Sequence, residues 1–128
     1  MITTGIKGHL QRIVTPELTA AHVGSGLANV FATPMMVALI EETCCQSVAP
    51  FLQEGESTVG TLVNVAHTAP TPVGMQVWCD STLVQVDRRR LVFEVKAYDQ
   101  HGLIGHGQHE RFIINFEQFQ AKADAKAH

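Results

Sequence analysis

The stretch FATPMMVALIEETCCQSVAPF, residues 31–51, decides the fold. Thr33-Pro34 reads as a helix N-cap followed by proline at the first helical position, where a missing N–H costs nothing. Pro50 ends the pattern and Gly55 marks the turn beyond it, so the spacing predicts one helix from Thr33 to about Ala49. Over its first two turns that helix is apolar nearly all round, which predicts burial. A buried helix in a short chain needs something to wrap it.

The flanking sequence supplies the wrapping. Residues 57–68 (STVGTLVNVAHT), 74–87 (GMQVWCDSTLVQVD), 90–99 (RLVFEVKAYD) and 103–116 (LIGHGQHERFIINF) are rich in β-branched residues and alternate in places. Pro-Thr-Pro, Asp-Arg-Arg and Gln-His-Gly turns separate them, so four strands are predicted, the last three as an antiparallel meander. Upstream, residues 6–14 (IKGHLQRIV) predict a first strand and residues 17–23 (ELTAAHV) a second short extended piece, followed by the Gly-rich loop GSGLANVFA. The end, EQFQAKADAKAH, reads as a short helix or a frayed tail. This order predicts an α+β hot-dog fold, a curved antiparallel sheet wrapped round one central helix. One such sheet leaves an apolar face and an edge strand open, which predicts a homodimer.

Bulk properties agree. At 128 residues the chain fits a single domain, 1–128. It is 45% apolar but only 16% charged, against a typical ~25%, which points to surface buried between subunits. A net charge of −3 gives no reason to expect nucleic acid as a partner. No uncharged apolar run approaches the ~20 residues of a membrane span. MITTGIKGHLQRIV lacks the apolar core of a signal peptide, so a cytoplasmic protein is expected. Cys44 and Cys45 sit about 100° apart on the predicted helix and do not readily bridge. With Cys79 they read as reduced, small, partly buried residues; a nucleophilic thiol would need a base beside it.

Three residues carry chemistry. Glu41 stands in the longest apolar stretch, where a carboxylate needs a partner or a raised pKa. Its neighbour Glu42 lies about 100° round the helix and suits a solvated face. His67 ends a strand just before the Pro-rich turn, and a carboxylate and an imidazole can orient each other. Thr33, at the mouth of the helix, is explained by capping alone, but also offers a hydroxyl. A hydroxyl, a carboxylate and an imidazole suffice for acyl transfer or hydrolysis. Eight helical residues span ~12 Å and turn about 80°, so Thr33 and Glu41 cannot touch along one straight helix. Either the first turn is irregular, or a substrate spans both, or they meet across a dimer interface. His101, His106 and His109 lack the cysteine or carboxylate spacing that completes a metal site, so no metal is expected. Arg88, Arg89 and Arg90 occupy a predicted hairpin turn, where they read as exposed charge or as contacts for nucleotide phosphates. Gly105 and Gly107 read as a strand bulge or close packing.

FATPMMVALIEETC, APFLQEGESTVGTLVNVAHTAPTPVGM and GHGQHERFIINFEQF together resemble the fluoroacetyl-CoA thioesterase family of hot-dog proteins, over roughly residues 30–122. The resemblance implies an acyl-CoA thioesterase with a catalytic set of Thr33, Glu41 and His67. It also implies Gly60 near the thioester carbonyl, Arg111 in the last strand, and no cofactor beyond the coenzyme A of the substrate. The family's fluoroacetyl-specific enzyme carries a phenylalanine-bearing lid before this motif. Here the segment reads VGSGLANVFAT, with Leu27 at the expected phenylalanine. That departure argues against carrying over selectivity for the fluorinated acyl group and favours a short or medium acyl-CoA. Two alternatives stand beside this. An enoyl-CoA hydratase or dehydratase would typically place its histidine near the helix start, where this chain has Thr33. A non-catalytic acyl-CoA or small-ligand binding protein would keep the fold without the turnover.

Overall fold

The computed structural model describes residues 1–127. Strand β1 spans Lys7–Ile13; after a loop region, helix α2 spans Thr33–Val48. Strands β2 (Glu56–His67), β3 (Gln76–Asp87), β4 (Arg90–Asp99) and β5 (Gly102–Asn115) follow, and helix α3 (Phe116–Asp124) closes the chain. All five strands form one antiparallel sheet in the order β1-β3-β4-β5-β2. The expected meander is its centre, and β1 and β2 are its edges. This is the hot-dog arrangement. The C-terminal stretch is helical from Phe116, with Asn115 accepting from the Gln118 N–H as its cap; His128 lies outside the described residues.

The helix lies across the concave face of the sheet. Met36, Leu39, Ile40, Cys44 and Val48 pack with Val77, Cys79, Leu83, Leu91, Phe93, Val95 and Ala97 into one apolar core. Burial of this kind, at about 25 cal/mol per Å² of apolar surface, is the main force holding helix to sheet. The helix is not buried all round, however. Pro34, Ala38, Glu42 and Gln46, spaced four apart, form an exposed stripe, because a single sheet covers only one side of a helix. Glu42 on that stripe pairs with Arg12 of β1.

Two local expectations are corrected. Residues 17–23 are not extended. Pro16–Leu18 makes a 3-10 turn and Ala20–Val23 a single helical turn, α1. Thr19 causes this: its Oγ1 donates to the Pro16 carbonyl at 2.8 Å and accepts from the His22 N–H at 3.2 Å. These local bonds outweigh the strand preference of a β-branched residue, and Gly24 closes the turn at φ +83°. Nor is Thr33 the cap of α2. Ala32 holds that position without a side-chain bond, Thr33 is the first helical residue, and its hydroxyl is used elsewhere.

One irregularity shapes the edge opposite β1. Gly60 pairs with Arg111 of β5, but the next pair is Leu62 with Glu110. Thr61 is the extra residue of a β-bulge, and its Oγ1 reaches the Glu110 carbonyl at 3.3 Å.

Candidate active site

The chemistry-bearing residues fall into two clusters at opposite ends of β2. At the C-terminal end, His67 meets the first turn of α2, where Thr33 Oγ1 lies 2.7 Å from His67 Nδ1. Phe31 packs edge-on against the imidazole, with ring centroids 6.4 Å apart. Burial pushes the His67 pKa below its ordinary value of 6.5, and the Ala69 backbone opposes this less strongly. The ring is therefore neutral at pH 7, with the hydroxyl fixing its orientation. Nε2 is buried, with no well-formed hydrogen bond among the described residues. A cavity of about 300 Å³ opens here, lined by Val30, Phe31, Thr33, His67, Ala69 and Pro70 among others. A neutral imidazole held at Nδ1, with Nε2 unpaired but shielded from solvent, can accept or deliver a proton once a reacting group comes into contact with that nitrogen.

At the other end, Glu41 projects from the middle of α2 toward β2 and β5. Its carboxylate Oε2 is 3.8 Å from Arg111 Nη1, and its side chain keeps 42% of its exposure. The carboxylate therefore has the charge partner that the sequence required, without full burial. Gly60 lies directly beneath: a Cβ there would come within 2.5 Å of Glu41 Oε2 and 3.2 Å of the His109 ring. Only glycine lets the strand backbone approach the carboxylate so closely. Arg111, 7% exposed at its side chain, is locked in place. Its Nε donates to Thr58 Oγ1 at 2.8 Å, Nη2 to the Thr58 carbonyl at 2.9 Å, and Nη1 to His109 Nε2 at 3.1 Å.

Within one chain the two clusters stay apart. Thr33 and Glu41 are separated by about 12 Å of helical rise, and Gly60 and His67 by on the order of 20 Å along the strand. The first turn of α2 is regular, which removes one of the three ways of bringing Thr33 to Glu41. Gly60 and Arg111 gather at Glu41. Leu27, 98% exposed in the loop before α2, joins neither cluster. Arg89 lies elsewhere: Nη1 is 3.4 Å from Glu56 Oε2 and 3.3 Å from the Ile113 carbonyl. With Phe119 and Lys122 it lines a separate cavity of about 370 Å³.

Thr58 and His109 were missed from sequence. His109 was grouped with His101 and His106, yet those two are exposed while His109 is wholly buried. The usable signal was its spacing: two residues before Arg111 in a strand, it must face the same way. The thiols are not part of either cluster. Burial raises Cys44 to about 12 and Cys79 to about 11, so both are protonated and poor nucleophiles.

Comparison with known proteins adds the following. The sequence model of a family described as fluoroacetyl-CoA-specific thioesterase matches residues 14–117. A fluoroacetyl-CoA thioesterase from Streptantibioticus cattleyicolor is 40% identical over 120 residues, covering 89% of this chain and 86% of that protein. A solved structure of a fluoroacetyl-CoA thioesterase superposes with a TM-score of 0.93 at 37% identity, covering 98% of each chain. A Thermus thermophilus hypothetical protein, a thioesterase superfamily member, superposes with a TM-score of 0.89 at 30% identity over 100% of this chain and 98% of its own.

Proposed function

The chain belongs to the fluoroacetyl-CoA-specific thioesterase family, and on that premise we propose that it hydrolyses a short or medium acyl-CoA to the free acid and CoA, using Thr33, Glu41 and His67. The observation that carries the assignment of residues is the Thr33–His67 hydrogen bond beneath an open cavity, with Nε2 left free. Water adds across the C–S bond. As base, Glu41 takes a proton from water, the resulting hydroxide displaces the thiolate, and neutral His67 relays that proton to it. As nucleophile, Glu41 displaces the thiolate to give an anhydride; water opens the anhydride while His67 takes the water's proton, and that proton passes to the thiolate. Thr33 holds the imidazole, and the backbone near Gly60 offers N–H groups to the developing oxyanion.

Separation of the clusters within one chain supports a site completed by a second copy. In a homodimer, Glu41 of one protomer would face the partner subunit's His67. Two further features favour such an assembly. β2 is an edge strand with Leu62 44% and Val63 40% exposed, and α2 carries an uncovered stripe. Leu27, on the loop leading into Thr33, would close over the acyl group. Arg89, beside Lys122 in the second cavity, would meet the phosphates of CoA. No helix among the described residues is long and apolar enough to cross a membrane, and a cytoplasmic enzyme acting without a further cofactor is part of this reading.

Thiol release from a panel of acyl-CoA esters tests it, with E41A and H67A beside wild type. Hydrolysis that both substitutions lower by roughly 10²-fold or more is expected, the range that general acid–base groups supply. Folded wild-type protein that binds acyl-CoA without turnover would make it a binding protein; loss of conjugated-enoyl absorbance without thiol release would make it a hydratase.

A further inference from the structure

His109 is wholly buried beside the Glu41 cluster, at 0% exposure, and the reaction outlined above does not use it. Its two nitrogens have unlike partners. Nδ1 lies 2.8 Å from the Leu62 carbonyl, which can only accept. Nε2 lies 3.1 Å from Arg111 Nη1, which can only donate. Nδ1 must therefore carry the proton and Nε2 must be bare. The ring is a neutral Nδ1–H tautomer, and protonating it would set an N–H against the guanidinium.

The Leu62 carbonyl stands just past the bulge at Thr61, so the irregular strand supplies the acceptor that fixes the tautomer. Phe93 of β4 stacks on the ring, with centroids 6.3 Å apart, and stops it turning. The charged and titratable groups facing this unit are Arg111 of β5 and Glu41 of α2, with Cys44 of α2 near the guanidinium. Glu110, between His109 and Arg111 on β5, turns to the other face of the sheet and pairs with Arg90. β2 contributes Thr58 and the Leu62 carbonyl. Burial lowers the His109 pKa from 6.5, in agreement with the neutral state that the geometry requires.

A neutral acceptor at this place has a particular effect. A second carboxylate on Nη1 would orient the guanidinium but neutralise it. An imidazole nitrogen orients the same N–H and leaves the positive charge available to the one carboxylate nearby, Glu41 at 3.8 Å.

We propose that His109 is a positioning residue for Glu41: as the Nδ1–H tautomer fixed by the Leu62 carbonyl, it accepts from Arg111 Nη1 and so holds the guanidinium beside the Glu41 carboxylate. The proposal rests on the reading of Glu41 as the group that acts on the thioester.

Two experiments test it. Long-range proton–nitrogen NMR of the wild-type imidazole is expected to show a proton on Nδ1, a bare Nε2, and a neutral ring at pH 7. An imidazolium or an Nε2–H tautomer at pH 7 would overturn the proposal, whatever the reaction proves to be. The kinetic test compares H109Q with H109M, side chains of similar length of which only glutamine offers an oxygen acceptor to Arg111. Both are assayed for thioester hydrolysis beside E41A. H109Q is expected to keep kcat within about 3-fold of wild type and H109M to lose about 10-fold or more, with KM little changed in both, as for a group acting through the transition state. Equal kcat in the two variants, with E41A inactive, would overturn the role of His109 alone. An active E41A would instead remove the reading of Glu41 on which it rests.

Discussion

At the scale of the residue, the Glu41 carboxylate is set by what is missing beneath it. Gly60 presents bare backbone, and a methyl group there would meet Oε2 at 2.5 Å, the flexible end of a side chain rather than a rigid wall. With alanine the carboxylate gives way, and the buried His109 ring, 3.2 Å from the same methyl, shifts by a few tenths of an ångström. G60A is expected to keep a near-native Tm while lowering kcat by about 10-fold or more, since small misplacements of a reacting group cost orders of magnitude. Parallel thermal melts and acyl-CoA kinetics check this, and a normal kcat would show that the carboxylate tolerates displacement. Glu41 was legible in the sequence because a carboxylate in an apolar run demands a partner. That the partner is Arg111 was not legible there; the resemblance implied only an arginine in the last strand. The strand that carries Arg111 could be recognised, but the register that brings it under α2 could not.

Single elements show where local rules hold and where they yield. Thr19 precedes a helical turn and Thr33 opens α2, and residue type alone would make each a cap. In the structure only Thr19 caps, while Thr33 spends its hydroxyl on His67. The two should separate by experiment. T19A is expected to lower stability by about 1 kcal/mol, the usual value of a cap, and Tm by roughly 3–6 °C. T33A is expected to leave Tm almost unchanged and to lower activity. Thermal melts of both variants, with an assay of T33A, decide the matter; a large Tm loss in T33A would return it to a structural role. The helix at 33–48 and the four long strands were readable because Thr-Pro, Pro50 and the hairpin turns punctuate them. Residues 17–23 were not, because two hydrogen bonds from one threonine set that segment against its composition. His109 escaped for a related reason: its role lies in which face of β5 it occupies, and grouping it with other histidines hid its alternation with Arg111.

For the whole molecule, the distance between the clusters becomes a statement about assembly. A homodimer that joins Glu41 of one chain to the Thr33–His67 pair of another makes complementation possible. E41A and H67A, each nearly inactive alone, are expected to recover activity when mixed under conditions that exchange subunits. A heterodimer of the two then holds one site with neither substitution. Recovery of a substantial fraction of wild-type rate, measured after unfolding and refolding the mixture, is the expected result. No recovery, with heterodimers present by mass spectrometry, would mean that each chain completes its own site.

The bulge at Thr61 bears on this in another way. Seven positions separate Gly60 from His67, an odd number, and in an unbroken strand residues an odd number apart face opposite sides of the sheet. Gly60 could lie under Glu41, or His67 could reach Thr33, but not both. One inserted residue changes the parity, and both ends of β2 then turn inward to the same helix. Deleting Thr61 would leave every proposed catalytic side chain in the sequence and turn one end of the site out of doors.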